Sequence, residues 1–226
     1  MSEVQQVIGE ILPLAVAVTI SPVQIIGVIL LLVGPRPKAN AASFIAGFLV
    51  GVGAVLWLIT ALAGTQDLAS GSEGSTVASV LRILLGLLLA VAAVRKLRAR
   101  PGPDEPATMP SWMDGMDRFQ PPRAALVGLA IGALNPKIVA MSFGAAMTVA
   151  AASLPAGDQA LVLAVYLLIS VVGVAAPLVV VLVMGERSAA VLGSWKEWLT
   201  RNNSVVMAVL FAVFAVVFIG KGIQGL

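Results

Sequence analysis

The residue with the most chemistry in it is Lys137. It lies near the middle of a thirty-residue apolar stretch, Arg123–Ala152, directly after Asn135-Pro136. A lysine at bilayer depth costs about 2.5–3.5 kcal/mol on insertion scales, and by default it marks a functional site. No Asp or Glu lies in the core of any apolar stretch, so the chain offers no obvious ion-pair partner. Three surroundings would tolerate the amine: a neutral form in a dry pocket, a water-filled cavity, or an anionic ligand as counter-ion. A purely structural role is the competing one, with the ammonium bonded to carbonyls freed at another helix break. The functional role is preferred.

The second feature is a pair of polar-proline steps, Ser21-Pro22 and Asn135-Pro136, separated by 114 residues, about half the chain. Proline removes one helical donor and clashes with the carbonyl four residues earlier, here Val18 and Gly132. In lipid an unpaired carbonyl costs roughly several kcal/mol unless protein, water or ligand satisfies it. Both breaks are therefore expected to face the bundle interior. Ser21 and Asn135 can bond to the opened backbone, and Gln24 lies one turn from Ser21. The expected substrate site is one polar cavity near the bilayer centre, lined by Ser21, Pro22, Gln24, Asn135, Pro136 and Lys137. The half-helix starting at Pro136 adds a positive dipole end to the lysine, which suits a carboxylate, sulfate or phosphate headgroup.

The elements that carry these residues follow from composition. Of 226 residues, 59% are apolar and 11% charged, against roughly 25% charged in soluble domains. The chain is expected to be an all-α integral membrane protein. A bilayer core needs about 20 apolar residues per helix. Six stretches qualify: Val7–Val33, Asn40–Gly64, Thr76–Val94, Arg123–Ala152, Gln159–Met184 and Val205–Gly220. Spans one and four carry the proline breaks. Spans two and three correspond to five and six. Three spans per repeat is an odd number, so the two repeats would enter the membrane from opposite sides. Inverted repeats with helices interrupted at matching positions are the best sequence pointer to a transport site. The domains are expected at 1–99 and 123–226, joined by a Pro-rich cytoplasmic linker at 100–122.

Orientation follows from Lys and Arg. Of the 14 basic residues, 11 fall in the connections after spans one, three and five. Arg82 and Lys221 lie on the other side, with Glu3, Glu10, Asp67, Glu73 and Asp158. The 11-residue side is cytoplasmic and both termini face outward, in a multi-pass protein of the cell membrane. The first basic residue is Arg36, so the first span is not expected to be a cleaved signal. Trp112, Met113, Met116 and Phe119 fall at helical spacing in the linker and are expected at the membrane surface. A short interfacial helix is expected near 188–201, with Leu192, Trp195 and Leu199 on one face.

Histidine and cysteine are absent, which removes Ser-His proteolysis, thiol redox chemistry and His- or Cys-ligated metals. No cofactor and no metal ion is expected, and a net charge of +3 gives no reason to expect nucleic acid. The expected partners are membrane lipids and a small-molecule or lipid substrate. The motifs Gly47-Phe-Leu-Val-Gly51 and Gly128-Leu-Ala-Ile-Gly132 allow close helix approach, inside the bundle or between the copies of a homodimer.

Six spans, a proline-interrupted first helix and Asn135-Pro136-Lys137 in the fourth resemble the lysine-exporter (LysE) superfamily. Ser21-Pro22, the run Val33-Gly34-Pro35-Arg36-Pro37-Lys38 and Ala46-Gly47-Phe48-Leu49-Val50-Gly51 look most like its GAP branch, the peptidoglycolipid and sulfolipid addressing proteins. Amino-acid exporters usually carry Pro-Gly-Pro at the first break. Ser21-Pro22-Val23 departs from that and turns the expectation away from an amino-acid substrate. The resemblance implies gradient-driven export of a cytoplasmic or inner-leaflet solute by alternating access about the two breaks. The alternative is an accessory membrane protein that helps a glycolipid exporter without transporting anything. An intramembrane enzyme built on Lys137 with Ser21 or Ser142 is the weakest reading, and no enzyme activity is expected.

Overall fold

The computed structural model describes residues 3–65, 76–100, 113 and 115–226. Trp112 and the linker prolines 101, 103, 106 and 110 lie outside the described residues. Everything described is helix, turn or loop, with no strand. The helices are α1 (Glu3–Thr19), α2 (Pro22–Leu31), α3 (Pro37–Thr65), α4 (Thr76–Arg98), α5 (Pro121–Leu134), α6 (Pro136–Ala151), α7 (Ala156–Met184) and α8 (Ser188–Gln224). Each of the six apolar stretches falls on one helix or on a bent pair.

Both expected breaks are present. α1 and α2 meet at 52°, and α5 and α6 at 58°. Pro22 and Pro136 each open the second half-helix, where a missing N–H costs nothing because the first turn has no internal acceptor for it. By length and apolarity, Pro37–Leu62 and Ala156–Gln224 can cross a membrane, and each bent pair adds a further candidate span. The outer surfaces match that reading. Trp57, Leu62, Leu88, Leu168, Val183 and Val216 are all more than half exposed, and an apolar belt of this size needs lipid around it.

The packing exchanges partners between the halves. α3 of the first half lies mainly on α5, α7 of the second lies on α1, and α4 lies along α8. The α3–α5 contact is where the small-residue motifs meet. A Cβ on Gly47 would run into the Ala125 carbonyl and one on Gly51 into that of Leu129; Gly128 faces the Phe44 carbonyl and Gly132 that of Phe48. Four glycines thus let two backbones touch, and both motifs are used within the chain. Phe44, Phe48 and Val52, buried on α3, fill the core beside this seam.

Two expectations about the connections change. Met113 and Met116 are 3% and 0% exposed and pack against Gly27 of α2, so they fill the core instead of lying on the membrane surface. A turn over Gly115–Phe119 is tied down there, with Asn40 Nδ2 donating to the Phe119 carbonyl at 2.7 Å. Gly34 comes so close to the Asp117 carbonyl that no Cβ fits between them. Residues 188–201 are helical, but as the first turns of the 37-residue α8 and not as a separate element. There Leu192 points inward while Trp198 stays exposed.

Candidate functional site

The first break sets three carbonyls free. Pro22 has no N–H for Val18, Ser21 sends its N–H to Thr19 (3.0 Å), and Gln24 sends its own to Ser21 (3.1 Å). The carbonyls of Ala17, Val18 and Ile20 are therefore left without helical donors. The Lys137 ammonium fills that role. Its Nζ lies 3.0 Å from the Ala17 oxygen, 3.5 Å from Val18 and 3.0 Å from Ile20. An ammonium carries three donors, and here three freed acceptors surround it. The side chain is only 2% exposed. Lys137 is a strut from the second break to the first, and the structural role set aside at the sequence level is the one its contacts display.

The last turn of α1 is fastened from the other side as well. Thr19 Oγ1 donates to the Ile169 carbonyl of α7, and Gly173 lets the Thr19 carbonyl approach α7 closely. Nothing in the sequence singled out either residue. A lone threonine and a lone glycine in apolar runs carry no local signal.

At the second break, Asn135 caps α6, its Oδ1 accepting from the Lys137 N–H at 3.0 Å. This is the bond an Asn cap forms to the second helical residue, and it holds Lys137 at the start of the half-helix. The equivalent residue in the first half, Ser21, makes no such cap bond. Val23 follows Ser21-Pro22 as Lys137 follows Asn135-Pro136, so only one of the two breaks supplies an ammonium. The remaining site residues divide. Ser21 and Pro22 are buried, Asn135 is partly buried and Pro136 is exposed. Gln24 is fully buried, and neither its Nε2 nor its Oε1 has a hydrogen-bond partner in the protein. A buried amide without partners is costly and points to a role beyond packing.

Ser142 does not pair with the lysine. Its hydroxyl lies 3.4 Å from that of Tyr166, while the ammonium is engaged by backbone oxygens, so no Ser142–Lys137 dyad forms. Among the described residues no cluster of acidic side chains could hold a metal ion. Two clefts open elsewhere, both lined by Glu10, Arg82, Thr148 and Lys221. The sequence left those three charges on one side of the membrane without bringing them together.

No curated protein and no solved structure matches this chain. A family model does, that of Sap, the sulfolipid-1-addressing protein, over residues 11–224. The match runs from α1 through both breaks to the end of α8, and the chain belongs to the sulfolipid-1-addressing protein family.

Proposed function

We propose that the chain crosses the cell membrane six times as two inverted three-helix units, with both termini outside. It serves the export of an envelope glycolipid or a related anionic, lipid-linked solute. In this reading it is the transporter itself, working by alternating access driven by an ion gradient. One observation carries the proposal: two helices broken at matching prolines meet, and a side chain from one closes the opened backbone of the other. Unwound backbone held at a repeat interface is the form that solute sites take in secondary transporters. The Lys137 strut is the contact that must loosen when the halves rock, and Gln24, buried two residues after Pro22 with no protein partner for its side chain, is the group available to bind a solute. Family membership supports the glycolipid direction.

A specific observation favours the accessory reading. Lys137 is saturated by backbone carbonyls, and no carboxylate lies in the apolar cores to carry a proton, so the chain lacks the usual coupling group. An accessory protein would need the same rigid bundle without a transport cycle. Neither reading makes the chain an enzyme.

The shared part is tested in cells with and without the chain, by comparing surface-extractable with total envelope glycolipid. The proposal expects glycolipid to accumulate inside when the chain is absent. An unchanged surface fraction would overturn it. Purified protein in liposomes then separates transporter from accessory, since only a transporter moves lipid or solute without other proteins.

A further inference from the structure

α1, α4, α6 and α8 enclose a cleft of about 310 Å³. It adjoins a more open chamber of about 500 Å³ that shares Glu10, Arg82, Thr148 and Lys221 with it. The lining is sorted along the helix axes. On α1, Glu10 stands before Pro13 and Leu14. On α6, Thr148 stands one turn beyond Gly144. On α8, Lys221 follows Val213, Phe214, Val217 and Phe218. All the charges are therefore at one end, and the other end is apolar. From Lys221 to Val213 the helix runs about 12 Å, a useful fraction of an acyl chain. Val213 is 52% exposed on the outer surface of the bundle, so the apolar end communicates sideways with lipid.

Among the described side chains the charges do not cancel. Glu10 Oε2 lies 3.7 Å from Lys221 Nζ. Arg82, partly buried, has no ion-pair partner among the described residues. Among the described side chains that line both spaces, one carboxylate thus faces two cations. These are also the two basic residues that the loop partition leaves on the side opposite the other eleven.

We propose that this cleft binds one anionic amphiphile, its headgroup on Arg82 and Lys221 and its chain in the apolar chamber beside α8. A neutral lipid would leave the excess cation without purpose. A free anion would use the outer chamber and leave the apolar one unexplained. The proposal rests on the membrane reading alone. It lies apart from the Lys137 strut and from the question of transport, so each can fail without the other.

The test uses the whole chain in phosphatidylcholine nanodiscs doped with spin-labelled phosphatidylglycerol or spin-labelled phosphatidylcholine, and reads the immobilised fraction by electron spin resonance. One net positive charge at a lipid surface predicts about a fivefold preference for phosphatidylglycerol. The Arg82→Gln, Lys221→Gln double variant should erase that preference. A Cβ on Gly9, which lines the cleft beside Glu10 at its charged end, meets nothing within 4 Å, so Gly9→Trp has room to block the mouth of the cleft. It should release both labelled lipids, and it keeps the proposal testable should the double variant not fold. Inorganic sulfate added to the wild type should not displace labelled phosphatidylglycerol. Equal immobilisation of the two lipids by the wild type would overturn the proposal, as would Gly9→Trp retaining them. Displacement by sulfate alone would overturn it in favour of a free-anion site.

Discussion

Lys137 was legible in the sequence as an anomaly, and carbonyls freed at the other break stood there as the partners of its competing structural role, though Ala17 and Ile20 were not singled out. Those partners are carbonyls 117 to 120 residues away, and no local pattern encodes a contact over that distance. What the sequence does encode is that each break must be satisfied, because an open carbonyl in lipid is costly. The strut has a direct consequence for stability. Lys137→Met removes the donors to three buried acceptors, and the expected loss is about 1–3 kcal/mol, read as a lower unfolding midpoint in detergent. An unchanged midpoint would mean that the carbonyls find other partners. Gln24 should behave in the opposite sense. Its amide is buried without protein partners, so Gln24→Leu should raise stability by about 1 kcal/mol while export falls. A variant that is both more stable and fully active would make Gln24 a packing defect and remove it from the site.

Among the elements, the two breaks were the easiest to foresee, since proline acts on its own helix and the sequence states where. Seams between helices were half legible. The motifs beginning at Gly47 and Gly128 announced close approach, yet only the structure shows that they face each other. The linker turn was misread because Met113, Met116 and Phe119 have a spacing that suits a membrane surface as well as a core. Only contact with α2 distinguishes the two, and helical spacing does not reveal the partner. The seam gives a sharp prediction. Gly128→Val drives a side chain into the Phe44 carbonyl and should destabilise by about 1–3 kcal/mol or prevent folding. Gly220→Val, where a Cβ meets nothing within 4 Å, should be tolerated. Comparable midpoints for the two variants would contradict the observed packing.

For the whole molecule, composition foretold an all-helical membrane protein because too few charged residues exist to wet a surface. Orientation rests on the loop charges, and the cysteine-free chain lets it be tested with single substitutions. Gly157→Cys, exposed in the first turn of α7, should label from outside the cell. Ser194→Cys, exposed on α8, should label only after permeabilisation. The reverse pattern would invert the proposed topology. The central claim is that this chain alone moves an anionic lipid through the interface its two breaks form. The most direct measurement is transbilayer movement of fluorescent phosphatidylglycerol in proteoliposomes under a proton gradient, comparing the wild type with Lys137→Arg. The account predicts gradient-dependent movement by the wild type. It predicts strongly slowed movement by Lys137→Arg, which keeps the charge but not the compact strut. Wild-type protein that moves lipid no faster than protein-free liposomes would contradict the claim and leave the accessory reading in its place.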